Sequence, residues 1–202
     1  MQRQKLHPST PVDSRIRIPL HYQRQPLISR LVSRYGVTVN ITAAMLSATE
    51  NYGWFDLQLQ GNYEHICDGL LYLQNLGVHL MHTSIADNVQ CAVSPQSLHH
   101  SLPTPAPPVA YQVYSSQSYR LRVQICILKD YYQTPIIFDL VSRYGITVNI
   151  MEASLPANQQ EDGWFDLDLW GKPQQLFSSC DYLENLNLPL WLDASSLHGQ
   201  LI

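Results

Sequence analysis

The sequence lacks the marks of most enzymes and most membrane proteins. It has no GxxxxGK[ST] phosphate loop, no HExxH helix and no nucleophile elbow, which sets aside the commonest nucleotide, zinc and serine chemistries. No apolar run nears the roughly 18 residues that read as a membrane span. Met1–Lys5 lead into polar residues and prolines, not into a signal-peptide core, so a cytoplasmic location is the expectation. Charge is sparse: 14% of the residues are Asp, Glu, Lys or Arg, and the net charge is −4. Such a balance offers no general attraction to nucleic acid or to an anionic lipid surface. The four cysteines form no CxxC pair and do not recur between the two halves, so reduced, apolar thiols are expected instead of a disulfide or metal framework. His65, His79, His82, His99, His100 and His198 do not recur either. No cofactor, no metal and no enzyme is expected.

What is present is a phrase that occurs twice. Ser33-Arg34-Tyr35-Gly36-Val37-Thr38-Val39-Asn40-Ile41 returns as Ser142-Arg143-Tyr144-Gly145-Ile146-Thr147-Val148-Asn149-Ile150, an offset of 109 positions. Gly53-Trp54-Phe55-Asp56-Leu57 returns as Gly163-Trp164-Phe165-Asp166-Leu167, 110 positions on. The folding unit is therefore about 65 to 75 residues, a size at which a domain alone is marginally stable.

Along the chain, residues 1–14 have no apolar periodicity and read as a flexible tail. Arg15-Ile16-Arg17-Ile18 alternates as a half-buried strand does. Arg120-Leu121-Arg122-Val123 is taken as its counterpart, which gives the second unit four extra residues before its helix. From Pro26 to Tyr35, Ile28, Leu31, Val32 and Tyr35 make one helical face, with Pro26 in the first turn and Gly36 at the left-handed end; Pro135 to Gly145 repeats this. Val37 to Thr42 reads as a strand followed by a polar loop, one residue longer in the second copy. Trp54 to Gln60 and Trp164 to Trp170 are strands, and Tyr63 to Leu76 is a second helix ended by Gly77. Asn187 takes the place of that glycine in the second copy. Short strands at Val78–Met81 and Leu188–Leu192 complete each unit. The expected fold is α+β: two ferredoxin-like β-α-β-β-α-β domains at 15–82 and 118–193, each a four-stranded antiparallel sheet with two helices on one face. A Pro-rich linker at 83–117 and a C-terminal tail at 194–202 account for the rest.

The sheet face away from the helices should collect Arg15, Arg17, Thr38, Asn40, Trp54, Asp56 and Gln58. Its counterpart should collect Arg120, Arg122, Thr147, Asn149, Trp164, Asp166, Asp168 and Trp170. First and third strands are neighbours in this fold, so the arginines can meet Asp56 or Asp166. Such pairs are either exposed, at about 0.2–1 kcal/mol each, or covered by another surface. Trp54, Trp164 and Trp170 either pack against another surface or form a stacking platform. Against a platform for RNA stand the negative charge and the absence of a basic-aromatic RNP1 pattern. The amides of Asn40 and Asn149 each offer two donors and an acceptor, either to a strand edge or turn or to a ligand.

Each half resembles the NIL domain, the ferredoxin-like, ACT-like regulatory domain at the C-terminus of methionine ABC-transporter ATPase subunits. The resemblance rests on the Pro-started helix ending in Arg-Tyr-Gly, the Val-Asn-Ile strand after it, the strand bounded by glycines, and the Tyr-Leu near the end of the second helix. It covers about Arg15–Met81 and Arg120–Leu192. It implies that the domains pair, within the chain or across a homodimer, and that they bind a small amino acid, methionine first. Asn40 and Asn149, with Thr38 and Thr147 beside them, fall at the implied ligand site. Thr42 and Met151 stand where the family motif continues with Leu. A non-catalytic, methionine-sensing regulatory protein is thus the leading expectation. The alternative is an interaction module that docks a protein through the face bearing Trp54, Asp56, Trp164, Asp166, Arg17 and Arg122, without a small ligand. Neither nucleic acid nor membrane insertion is expected.

Overall fold

The computed structural model describes residues 11–84 and 118–193; the expected linker beyond residue 84 and the expected tails at 1–10 and 194–202 lie outside the described residues. The first unit runs β1 (Val12–Pro19), α1 (Leu27–Tyr35), β2 (Thr38–Leu46), β3 (Tyr52–Gln60), α2 (Tyr63–Asn75) and β4 (His79–Thr83). The second runs β5 (Tyr119–Ile127), α3 (Ile136–Tyr144), β6 (Thr147–Leu155), β7 (Gly163–Gly171), α4 (Pro173–Asn185) and β8 (Leu190–Leu192). A three-residue 3-10 turn precedes α1 and α3, at Leu20–Tyr22 and Lys129–Tyr131. Helix α1 ends because Gly36 turns left-handed, with φ of 63°, and its N–H bonds back to the Val32 carbonyl. Gly77 and Asn187 also match in conformation, at φ of 84° and 54°. The amide side chain thus substitutes for glycine where a larger side chain would be strained.

Each unit orders its strands as the ferredoxin-like arrangement requires, and the two sheets merge into one. The eight strands lie β4-β1-β3-β2-β6-β7-β5-β8, with antiparallel neighbours throughout. The join is short: Ala44 faces Leu155, Met45 faces Ser154 and Leu46 faces Ala153. The 109-residue repeat carries Met45 onto Ser154, so a pseudo-two-fold axis passes through that pair. Helix α1 packs on α3 across the axis, α1 touches β6, and α3 touches β2. Ile16, Phe55 and Leu57 of the first unit and Ile125, Phe165 and Leu167 of the second belong to one continuous apolar core.

The joining segment lies where the sequence pattern suggests a loop, and a β-bulge is the reason. The register slips between Ile41 and Ala43 against β3, and between Ile150 and Glu152 against β7. Before the slip Val39 and Ile41 are buried in the core; after it, Ala44 and Leu46 are. The odd-numbered pattern becomes an even-numbered one, so a period of two ends the strand at Thr42, whereas β2 continues to Leu46. The extra residues are Thr42 and Met151.

The start of each unit also differs from the sequence reading. Trp54 faces Arg17 and Trp164 faces Cys126, so the counterparts of Arg15–Ile18 are Gln124–Ile127, and not Arg120–Val123. No four-residue gain precedes α3. A slip of four leaves the alternation intact, which is why it escapes a period-two pattern. Strand β1 begins at Val12, and both Val12 and Ser14 are buried, so residues 12–14 belong to the sheet and not to a tail.

Beyond the short join, the neighbouring unit's helix satisfies the inner edge of β6. The buried Ser29 hydroxyl of α1 donates to the Val148 carbonyl at 2.6 Å and accepts from the Val148 N–H at 2.8 Å. The residue at the matching place in α3 is Phe138. Replacing Ser29 by Ala leaves a backbone donor and acceptor unpaired in an apolar setting, at a cost of about 1–3 kcal/mol. A urea titration of Ser29→Ala should show that loss in one transition involving both units; a midpoint equal to the parent's would remove the strut from the account.

Candidate functional site

Two groups of polar residues stand out: one on the open sheet face, the other between the units. On the open face Arg15 Nε and Nη2 bond the two Asp56 oxygens at 2.5 and 2.6 Å. Arg122 holds Asp166 at 3.0 and 2.6 Å, and Arg120 Nη2 reaches both oxygens of Asp168 at 2.9 and 2.7 Å. Arg15 lies directly opposite Asp56, whereas Arg122 reaches Asp166 diagonally because Gln124 is the residue opposite. Arg17 does not join these pairs: its guanidinium sits 3.5 Å from the centre of the Tyr52 ring. Arg15 lies 5.0 Å from the Trp54 ring and Arg120 5.9 Å from that of Trp170, so arginines cover the tryptophans in part. The units meet edge to edge, and neither covers the other's open face. With the Arg15 side chain 48% exposed, its ion pair contributes at most about 1 kcal/mol.

Asn40 and Asn149 are covered, unlike the arginines. In the strand register they stand opposite Gln58 and Asp168, on the same side of the sheet as the arginines, yet they are only 5% and 6% exposed. The physical reason is the short join: the turn of one unit closes against the second strand of the other. Asn40 Nδ2 donates to the Tyr132 carbonyl at 2.9 Å. Tyr132 follows the 3-10 turn of the second unit, and its hydroxyl donates to the Glu161 carbonyl at 2.8 Å. Asn149 Nδ2 contacts Met151 Sδ at 3.1 Å, and its Oδ1 has no hydrogen-bond partner among the described residues.

Two clefts flank the axis. One lies between Asn40 and Ile41 of the first unit and Ile127, Tyr131, Thr134, Ile136 and Ile137 of the second. The other lies between Val148 and Ile150 of the second unit and Ile18, Tyr22, Gln23, Gln25, Leu27 and Ile28 of the first. The repeat offset superimposes Ile18, Tyr22, Gln25, Leu27 and Ile28 on Ile127, Tyr131, Thr134, Ile136 and Ile137. Each cleft therefore pairs the turn and helix start of one unit with the second strand of the other. Each has a volume of about 10 Å³, the room of a single water, so a larger guest enters only when the turn moves. No charged side chain lines either cleft, and Thr38 and Thr147 line neither. Asn40 and Asn149 are not brought to each other; they stand on opposite sides of the axis. Sequence reasoning missed the turn residues Gln23 and Tyr132, although the recurrence of Tyr22 and Tyr131 four places before a proline was a signal for that turn. Among the described residues no group of three or more His, Cys, Asp or Glu could hold a metal ion.

Two tyrosines of the second unit resist ionisation. Burial, chiefly, and then nearby Asp162 push Tyr132 up from its ordinary value. Burial, followed by the hydrogen bond from its hydroxyl to Asp139 Oδ2 at 2.7 Å, pushes Tyr182 up further. A raised folded-state value means that the unfolded chain ionises first, near pH 10. The stability these protons confer is full below about pH 10 and is lost as the pH rises beyond it. Thermal midpoints measured between about pH 9 and 11 should fall, and Tyr132→Phe with Tyr182→Phe should flatten the decline. An unchanged slope in the double variant would refute this cause.

Tandem ferredoxin-like units, joined strand to strand with clefts shared between them, define the class of fold. More particularly, the chain belongs to the NIL-domain family, whose model matches residues 13–81 and 121–190, once for each unit. An uncharacterized protein of Synechococcus elongatus is 32% identical over 73 residues, which cover 36% of this chain and 90% of that protein. One of Synechocystis sp. is 38% identical over 73 residues, covering 36% of this chain and 75% of the relative. Both relatives are thus little longer than one unit. Among solved structures, a proposed glycine cleavage system transcriptional repressor shares 10% identity, with 91% of this chain and 95% of that chain covered and a TM-score of 0.33. An unknown protein from Galdieria sulphuraria shares 12%, covering 91% and 97%, with a TM-score of 0.30. Likeness at that level says nothing about function.

Proposed function

We propose that this is a non-catalytic regulatory protein that binds a small, methionine-like amino acid between its two NIL units and passes occupancy on to a protein partner in the cytoplasm. The observation that carries the reading is the shared construction of the clefts: the turn and helix start of one unit meet the Asn-bearing strand of the other. Lining without charged side chains disfavours an anion or a cation, because a buried unpaired charge is costly. A net-neutral amino acid suits it better. Its ammonium and carboxylate match the acceptor and donors of an asparagine amide, and the helix start adds N–H groups that no intrahelical carbonyl satisfies. An unbranched apolar side chain would lie among Ile, Leu and Phe. A guest that enters must move the turn of one unit against the strand of the other, so binding shifts the fit between units. That shift is the signal.

A separate observation favours docking through the open face. Trp54, Met45, Ser154 and Trp164 form one cross-strand row over the axis, and Met45 is 51% exposed at its centre. The two readings separate in a thermal-shift screen of amino acids on the full chain. A ligand at 100 times its Kd stabilises the folded state by about 2.7 kcal/mol, and each kcal/mol moves the midpoint by roughly 2–4 °C at this size. L-methionine should therefore raise the midpoint by several degrees. No shift with any amino acid at millimolar concentration would overturn the sensor reading and leave docking.

A further inference from the structure

We propose that the open face of the eight-stranded sheet is a surface for a second copy of this chain, two copies packing sheet against sheet over the pseudo-two-fold axis. The proposal names the occupant of that face and does not rest on the amino-acid reading. Residues opposite each other in a ladder share a face, so the register places the tryptophans. Trp54 stands opposite Arg17, Trp164 opposite Cys126, Trp170 opposite Arg120 and Trp191 opposite Gln124. All four tryptophans of the chain therefore lie on the side away from the helices. On the same side Met45, Tyr52 and Trp191 are 51%, 47% and 56% exposed. Tryptophan, methionine and arginine are the residues that protein interfaces concentrate.

Charge, area and symmetry select a second copy over other partners. Arg15, Arg120 and Arg122 are each held by a carboxylate, and Arg17 lies on the Tyr52 ring. A face whose arginines are already engaged offers little field to a nucleic acid or a strongly charged peptide. It does not repel a face of the same make-up. At about 4.8 Å between strands and 3.3 Å per residue, the eight strands spread over roughly 900 Å². A stable interface takes about 800 Å² from each partner, so the joined sheet suffices where one unit would not. Self-pairing also requires that the same patch serve on both sides. The pseudo-two-fold passes between Met45 and Ser154, and the ion pairs of the two units lie on opposite sides of the Trp54–Met45–Ser154–Trp164 row. A two-fold that crosses this axis sets the centre of one face on the centre of the other and leaves the ion pairs flanking it. The sheet edges offer less. Strand β8 has three residues, and β4 slips register against β1 between Arg15 and Ile16, as guarded edges do.

The test is sedimentation of the full chain over a dilution series, with acrylamide quenching of tryptophan fluorescence on the same samples. A dimer is expected, and quenching should rise as it dissociates, because every tryptophan reports on this face. Met45→Glu places like charges at the centre and should weaken the dimer at least about a hundredfold. Ser154→Glu, across the axis from it, should do likewise and serves if Met45→Glu fails to fold, which circular dichroism shows. Phe177→Glu on α4 and Met81→Glu on β4, both at well-exposed positions away from the row, should keep the parent's affinity within about threefold. A chain that stays monomeric at sub-millimolar concentration would overturn the proposal and leave the face to a partner of other chemistry. It would equally be overturned by a dimer whose tryptophans are quenched as freely as those of the diluted chain. A dimer that survives Met45→Glu and Ser154→Glu, or that Phe177→Glu or Met81→Glu breaks instead, would place the contact elsewhere. None of these outcomes bears on the amino-acid reading, which the thermal-shift screen decides.

Discussion

Everything in this structure depends on three cross-strand pairs. Ala44, Met45 and Leu46 of β2 lie against Leu155, Ser154 and Ala153 of β6, and among the described residues no other ladder connects the two units. Without it each unit, of a size where a core alone is barely sufficient, would also expose a strand edge. With it those edges are paired at the axis, α1 seats on α3, and each turn reaches the neighbouring strand. Because the ladder is short, β2 and β6 leave backbone groups unpaired away from the axis. On one side the Ser29 side chain of the other unit takes over at Val148 of β6; on the far side Asn40 of β2 reaches out to the Tyr132 carbonyl in the other unit's turn. The clefts exist in that zone and would not exist between strands paired along their full length.

Joining two copies in one chain changes what such an interface can do. In a homodimer of single units every substitution appears on both sides of the axis. In a tandem it appears once, so Ser29 can stand opposite Phe138, Gln25 opposite Thr134, and Gln23 opposite Tyr132. One side can then be devoted to holding the units together and the other to something else. The open face has diverged in the same way. Asp13 and Gln58 of the first unit correspond to Arg122 and Asp168 of the second, and only the second unit carries two Arg–Asp pairs there.

The bulge at Thr42 and Met151 links these features. It reverses which residues face the core, and the strand that leaves it is the one that meets the other unit. A bulge increases local twist and bends its strand. Thr42 and Met151 are both half-buried, so the position is neither purely a core site nor purely a surface site.

Much of the fold was legible from local rules. The helix with Ile28, Leu31 and Val32 on one face, its end at Gly36, the left-handed Asn187 in place of Gly77, and the β-α-β-β-α-β order all follow from periodicity and backbone sterics, which act within a few residues. The repeat itself announced two units, and its Val-Asn-Ile passage pointed to the asparagines. Three things were decided only by tertiary structure. The extension of β2 to Leu46 was hidden because a bulge breaks the period of two. The alignment of β5 with β1 was hidden because a slip of four residues preserves that period. The burial of Asn40 and Asn149, and the different partners they find, depend on Tyr132 and Met151. The first of these is 92 positions away from Asn40 in the chain and comes near only when β2 meets β6. Local patterning determines which face a residue prefers, but the hydrogen bond it makes there depends on what the rest of the fold brings to that face.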